Sequence, residues 1–487
     1  MKPNRTHSEK TIFEMSVPGR VGFRFAPSDV PSTDVPVDLI RTELPMPELS
    51  ELDVVRHFTR LSRLNYSVDS GFYPLGSCTM KYNPKVCEKA ASLPGLTQLH
   101  PLQPLETVQG ALVVLHEMQT ILCEVGGMAA GSVTPAAGAQ SEFCGVKMIA
   151  AYHRDNGQTQ RKVMLIPDSA HGTNPASSVM CGFTCQSVKT TPRGNVDLDD
   201  LRQHCNDQLA GIMITNPNTL GLFDENILEV TRMVHEAGGL VYGDGANMNA
   251  LLGIVQPAAL GIDVMHYNLH KTFATPHGGG GPGAGAVCCV EKLADYLPGP
   301  ISAIIEEGDE EVPPLYGLVE PEKSIGMVRA FWGHFAIILR AYVYCLALGR
   351  TGMREVGENA TLNANYLMQA LKDVYPLPYD RVCMHEFVLD VKWKDAPGIR
   401  AFDVAKRMMD FGLHPPTYYF PLIVHEALMI EPTETETKAT LDEFIAVMRS
   451  IAEEAKTQPE LLTSAPTETP FGRLDEVKAA KDLKIAE

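Results

Sequence analysis

A chain of 487 residues, 45% hydrophobic and 21% charged, is long enough to bury a large core and to hold two or three domains. Its formal net charge of −18 sets up a diffuse negative field that repels phosphates, which argues against nucleic acid and against an anionic membrane as partners. None of the eleven cysteines forms a CxxC pair, which argues against a structural zinc site, and the odd count fits a reducing compartment.

The opening MKPNRTHSEKTIFEMSVPGR has no apolar core of a signal peptide, so a cytoplasmic protein is expected. Residues 1–50 are rich in proline and poor in periodicity, which predicts an extended arm lying over another surface. A short helix is expected from Glu51, followed by a loop over 65–85. ETVQGALVVLHEMQTILCEVGG (106–127) carries apolar residues at helical spacing and stops on glycines. TPAAGAQSEF (134–143) leads small residues into a helix, an N-terminus suited to an anion, with Ala139, Gln140 and Ser141 as candidates.

Short apolar runs then alternate with helical stretches. RKVMLIPDSAHG (161–172), GIMITNPNTLG (211–221) and GLVYGDGAN (239–247) each break into a polar turn, and NILEVTRMVHEAGG (226–239) is one of the helices between them. This alternation predicts an α/β fold with a mainly parallel sheet, whose ligands bind beyond the carboxyl ends of the strands. A long helix is expected near 325–350. Its most apolar part, 331–349, holds His334 and Arg340, and an arginine at mid-bilayer would cost about 3 kcal/mol, so a buried or interdomain helix is the reading. RVCMHEFVLDVKW and YYFPLIVHEALMIEP read as strands of a smaller α+β domain, and the tail ends in a short surface helix. The expected division is an arm with a loop segment over 1–105, a large domain over 106–335, a small domain over 336–455 and a tail over 456–487.

The chemistry concentrates in DGANMNALLG (244–253) and NLHKTFATPHGGGGPGAG (268–285). Lys271 falls at the end of an apolar strand, where a solvated charge is out of place. A desolvated lysine has a lowered pKa and attacks carbonyls to form a Schiff base. Glycines beside it let backbone N–H groups close on a phosphate. Schiff base and phosphate together on an α/β sheet point to pyridoxal 5′-phosphate. Asp244, at the previous strand end, can pair with the pyridinium nitrogen or serve as an ordinary turn residue. His171, in SAHGTNPASS (169–178), can stack on the cofactor ring or sit in a capped turn.

GDGANMNALLG, NLHKTFATPHGGGGPG, SAHGTNPAS, NPNTLGLF and GSCTMKYNP together closely resemble the P-protein of the glycine cleavage system, the pyridoxal-phosphate-dependent glycine dehydrogenase (decarboxylating). The resemblance runs from about residue 50 to RLDEVKAAK near the end and is to the carboxyl-terminal half, called subunit 2. It implies fold type I of the pyridoxal phosphate enzymes, the aspartate-aminotransferase-like architecture. It implies that Lys271 holds the cofactor as a Schiff base, that Asp244 pairs with its ring nitrogen and that His171 stacks on the ring. Gly138, Ala139, Gln140 and Ser141 would contact the phosphate, with His270 and the 277–281 loop, and Thr173 and Asn216 would be near neighbours. YPLGSCTMK (73–81) resembles a loop over the active site, with Ser77, Cys78 and Lys81 as weaker candidates. The implied reaction decarboxylates glycine and passes the aminomethyl group to the lipoyl arm of the H-protein. The implied assembly is with subunit 1, two copies of each. The rival readings are an aminotransferase, for which Arg381, Arg400 and Arg407 are available, a cysteine desulfurase, or a non-catalytic partner subunit.

Overall fold

The computed structural model describes residues 9–170, 172–277 and 283–483. They divide into two compact units, one formed by the residues up to Gly71 together with those from Ala465 on, the other by Phe72–Ser464. In the first unit Ser50 caps the helix Glu51–Ser62, its hydroxyl accepting from the Asp53 N–H at 3.2 Å. The preceding arm is extended and leaves Phe23, Phe25, Val37, Leu39 and Leu44 exposed.

The second unit is built on a seven-stranded sheet. In chain order its strands are β1 (Ala130–Ser132), β2 (Val163–Pro167), β3 (Thr184–Val188), β4 (Leu209–Thr215), β5 (Leu240–Asp244), β6 (Val264–Asn268) and β7 (Gly285–Cys289). Their spatial order is β1-β7-β6-β5-β4-β2-β3. The pairs from β6 through β3 are parallel, and β7 runs antiparallel between β1 and β6. Strands such as LAGIMIT are buried along their whole length, as a parallel sheet covered on both faces requires. Alternate residues serve the two layers: Leu165, Ile212, Ile214 and Val241 pack in one core, and Met164, Ile166, Met213, Tyr242 and Val264 in the other. The helix Gln109–Gly126 supplies Met118 and Leu122 to the first layer and stops at Gly127 with φ 69°, as its glycines predicted.

After a hairpin of β8 (Ile301–Glu306) and β9 (Leu315–Val319), the long helix spans Phe335–Leu371. It does not end near 350 because Gly349, at φ 60°, kinks it instead of terminating it. It is the one described helix long and apolar enough to cross a membrane by length and composition. Its first half instead packs Ile337, Ile338, Ala341 and Tyr344 against the sheet core, while Arg340 forks onto Glu88 through two bonds of 2.8 Å. Its second half packs Leu367, Met368 and Leu371 on a small antiparallel sheet of β10 (Phe387–Asp390), β11 (Thr417–Tyr418) and β12 (Ala427–Ile430), ordered β10-β12-β11.

The second layer is closed by the helix Gly138–Asp155, and its packing rests on two glycines. Gly138 and Gly145 lie two turns apart on one face. A Cβ on Gly145 would fall 2.6 Å from Tyr242 Cε2, and one on Gly138 would fall 1.8 Å from Asn268 Oδ1. Alanine is the better helix former by about 1 kcal/mol. Gly145→Ala is nonetheless expected to destabilise by about 1–3 kcal/mol through overpacking. Thermal unfolding would then shift down by several degrees, and an unchanged or higher midpoint would contradict the contact.

Candidate active site

Two neighbouring strands end where the helix Gly138–Asp155 begins. β5 ends on Asp244 and β6 on Asn268, and the chain then turns through His270 and Lys271. Ala137, the N-cap of the helix, makes no side-chain cap bond. The first N–H groups of the helix therefore point, unsatisfied, towards the space beyond the strand ends. A cavity of about 200 Å³ occupies this space, lined by Ser77, Ala137, Gly138, Ala139, Glu142, Thr173, Thr215, Thr219, Asp244, Ala246, Asn247, His266, Asn268, His270 and Lys271. Of the residues expected from sequence, it gathers Lys271, Asp244, Gly138, Ala139, Thr173 and His270, and Ser77 of the weaker candidates.

The remaining candidates stand elsewhere. Gln140 turns away to hold the loop, accepting from the Ala136 N–H at 2.7 Å and donating to the Val328 carbonyl at 3.0 Å. Ser141 is buried and donates to the Ala137 carbonyl at 2.9 Å. Asn216 accepts from the Asp224 N–H at 2.9 Å and borders a smaller void on the other side of Asp244. His171 and residues 278–281 lie outside the described residues. At the end of the glycine-rich loop, Gly285 has no room for a side chain, since a Cβ would meet Ser141 Oγ at 2.1 Å.

The electrostatics of the cavity are set by burial. Burial, with His277 and Lys271 close by, pushes His270 down to about 4, so its imidazole is neutral at physiological pH. Burial pushes Glu142 up to about 7, and the Asp244 carboxylate adds to the effect against the hydrogen bonds from Ser177 and Thr173. The Thr173 hydroxyl donates to Glu142 Oε2 at 3.0 Å, while Glu142 Oε1 is buried without a hydrogen-bond partner.

Lys271 Nζ donates to the Ser77 carbonyl at 2.9 Å, and the Ser77 N–H donates to Glu386 Oε2 at 2.6 Å. The backbone of one residue of the 73–81 loop thus stands between the lysine and the small sheet. Ser77 has φ 64°, the left-handed region, and the loop is seated on β12 by Gly76 N–H to the Met429 carbonyl and Glu431 N–H to the Pro74 carbonyl, both 3.2 Å. Glu386 and Glu431 are fully buried, and burial raises both carboxyls. Cys78 Sγ lies 3.7 Å from His277 Nδ1. Lys81 is spent on structure, donating to Glu434 at 2.6 Å and Asn249 at 2.7 Å inside the fold.

Sequence reasoning missed Glu142, Glu386 and His266. His266 had a legible signal: in VMHYN it alternates onto the same strand face as Asn268, one polar residue back from the strand end. Glu386 had none, because its role depends on a loop more than three hundred positions away in sequence. The cavity as built offers an amine, a carboxylate and an anion-binding helix terminus within one small space. That set suits carbonyl chemistry on a small phosphorylated ring.

Two families match parts of the chain: the one described as Aminotransferase class-V over residues 143–298, and the one described as Glycine dehydrogenase, C-terminal domain, over residues 356–466. Among solved structures the chain is similar to an inhibitor-bound glycine decarboxylase (P-protein) of the glycine cleavage system, with TM-score 0.72 and 20% identity, covering 86% of this chain and 93% of that one. A cysteine desulfurase from Thermococcus onnurineus aligns with TM-score 0.59 and 15% identity, over 79% of this chain and 95% of that one. These likenesses establish the fold, that of the type I pyridoxal phosphate enzymes. In sequence the chain is 53% identical over 480 residues to glycine dehydrogenase (decarboxylating) subunit 2 of Caldanaerobacter subterraneus subsp. tengcongensis, covering 97% of this chain and 98% of the relative. The namesake from Thermotoga maritima is 50% identical over 473 residues, again covering 97% and 98%. A cavity at the carboxyl ends of a mainly parallel sheet, and relatives matched along almost their entire length, lead to one assignment: this chain belongs to the family of glycine dehydrogenase (decarboxylating) subunit 2.

Proposed function

We propose that this chain is the lysine-bearing subunit of a glycine dehydrogenase, which decarboxylates glycine with pyridoxal phosphate and passes the aminomethyl group to the lipoyl arm of the H-protein. The observation that carries the reading is the convergence of Lys271, Asp244 and the uncapped N-terminus of the helix Gly138–Asp155 on one cavity. The donor set fits the cofactor group by group. The Lys271 amine suits the aldehyde, the Asp244 carboxylate the ring nitrogen, and the N–H groups of Gly138 and Ala139 the phosphate. When bound, the cofactor supplies an electron sink for the pair left as the substrate carboxylate departs as CO₂.

The chain's own residues do the rest. Lys271 would hold the cofactor through its side-chain amine. Asp244 would keep the ring nitrogen protonated, which the electron sink needs; His171, which the resemblance assigns to stacking on the ring, lies outside the described residues. His270, neutral because it is buried, brings no charge of its own to the phosphate end of the cavity. The loop around Ser77 forms the wall that keeps water from the lysine. The protein works in the cytoplasm as a heteromer with subunit 1, two copies of each being the simplest symmetric arrangement. The H-protein binds transiently, since it must leave with the product.

Lys271→Ala should fold, lose borohydride-fixable pyridoxal phosphate and lose glycine–bicarbonate exchange. Peptide mapping that finds the reduced cofactor on another lysine would refute the assignment. Asp244→Asn should still bind the cofactor, while exchange falls roughly 10²-fold or more for want of the charge facing the ring nitrogen. Near-native exchange in that variant would rule the role out. The third expectation concerns assembly. The exposed apolar side chains of the arm, Phe23, Phe25, Val37 and Leu39, suit burial against another subunit. The chain alone should therefore show little exchange with added lipoyl protein and recover it on addition of subunit 1. Full activity from the lone chain would overturn the requirement.

A further inference from the structure

Beside the cavity, the register of β5 and β6 builds a file of three polar side chains that the proposed reaction does not use. Tyr242 pairs with Val264 and Gly243 with Met265, so the next rung sets Asp244 beside His266. With the two-residue period of a strand, Tyr242, Asp244 and His266 share the sheet face that meets the helix Gly138–Asp155. His266 Nε2 lies 3.6 Å from Asp244 Oδ1, and His266 Nδ1 lies 2.5 Å from the Tyr242 hydroxyl. All three are buried, Tyr242 and His266 almost completely.

The tautomer follows from the hydrogen-bond inventory. Burial holds Tyr242 as a neutral phenol. Its single O–H has Nδ1 as its acceptor among the described residues, so Nδ1 accepts and the ring proton sits on Nε2, facing Asp244. Asp244 Oδ1 also accepts from the Ala246 N–H at 2.9 Å. Oδ1 thus takes the Ala246 N–H bond and is the oxygen nearest the imidazole, and Oδ2 is the oxygen left to a ligand in the cavity that Asp244 lines. The groups facing this file from other elements are Glu142, Cys144 and Thr173 on the helical side and His270 and Lys271 from the turn after β6.

We propose that His266 is a positioning residue for Asp244: locked by Tyr242 as the Nε2–H tautomer, it fixes Oδ1 so that Oδ2 meets the cofactor's ring nitrogen. The inference rests on the proposed pyridoxal phosphate site and deepens it. His266 acts through the aspartate and does not touch the reacting atoms. The dependence is ordered: removing the imidazole frees the carboxylate to rotate, whereas removing the phenol hydroxyl leaves the ring in place but frees its tautomer. Glutamine at 266 can carry an N–H near the position of Nε2 and so replace the donor.

The test uses the complex with subunit 1, reconstituted with pyridoxal phosphate. Native protein, His266→Ala, His266→Gln and Tyr242→Phe are compared by the rate at which the cofactor is lost on dilution and by the pH midpoint of its visible absorbance band. His266→Ala should lose the cofactor roughly tenfold faster, the effect of deleting a supporting hydrogen bond, and should shift the midpoint. His266→Gln should restore most of both, and Tyr242→Phe should fall between Ala and native. Native behaviour of His266→Ala in both readouts overturns the proposal. If that variant fails to fold, Tyr242→Phe decides, and its identity with native protein in both readouts overturns the proposal equally. Lys271→Ala is run alongside. If it retains borohydride-fixable cofactor, the underlying site assignment has failed. If it loses the cofactor while the 242 and 266 variants match native protein, only the positioning role has failed.

Discussion

The structure depends on how closely one helix can lie on one face of the sheet. Gly138 and Gly145 remove the side chains that would hold the helix Gly138–Asp155 off β5 and β6, and the gaps they leave are filled by Asn268 and the Tyr242 ring. That approach brings the uncapped start of the helix to the ends of the strands carrying Asp244 and Asn268. The anion-binding end of the helix and the carboxylate of the strand thus come to border the same space because of a packing requirement. The same packing shields the file from Tyr242 to Asp244 from water, which strengthens each polar contact within it.

A second constraint acts from the opposite wall. The 73–81 loop is held by backbone bonds to β12 and by a fully buried glutamate, so the residue facing Lys271 comes from the start of the compact unit but is seated by its end. Two buried carboxyls, Glu386 and Glu431, stand behind it, with the Thr79 hydroxyl donating to the second. Burial raises both, and each is partly stabilised by donors from this loop. The loop and the acidic pair therefore stabilise one another.

Much of the large sheet was legible in the sequence because buried parallel strands read as continuous apolar runs: β2 and β5 fall inside the stretches expected from that pattern, and β4 overlaps its stretch but starts ahead of it. The antiparallel β7 was not, since GAVCC has the same apolar composition in either direction. The long helix was misread at both ends; it runs past its expected end because its glycine kinks rather than stops it. In the site, Lys271 and Asp244 could be found because a charge at the end of an apolar run is anomalous by itself. Gln140 and Asn216 carried residue types suited to a ligand but are engaged by neighbouring backbone groups, which composition does not reveal. Glu142 and Glu386 were hidden for another reason: a carboxylate within a helix or beside a strand reads as surface until its burial is known.

The Ser77 backbone carries a consequence of its own. Its carbonyl accepts from the lysine amine and its N–H donates to Glu386, so the two peptides that meet at Ser77 report to two different walls of the unit, joined through a residue held at φ 64°. A lysine amine engaged elsewhere would no longer hold that carbonyl, and the Ser77 backbone would pass the change to its bond with the glutamate. Linkage makes the effect reciprocal: whatever tightens the loop on β12 must favour the amine's present position by the same free energy. The small sheet is therefore linked thermodynamically to what the lysine is bonded to, through the backbone of a single residue.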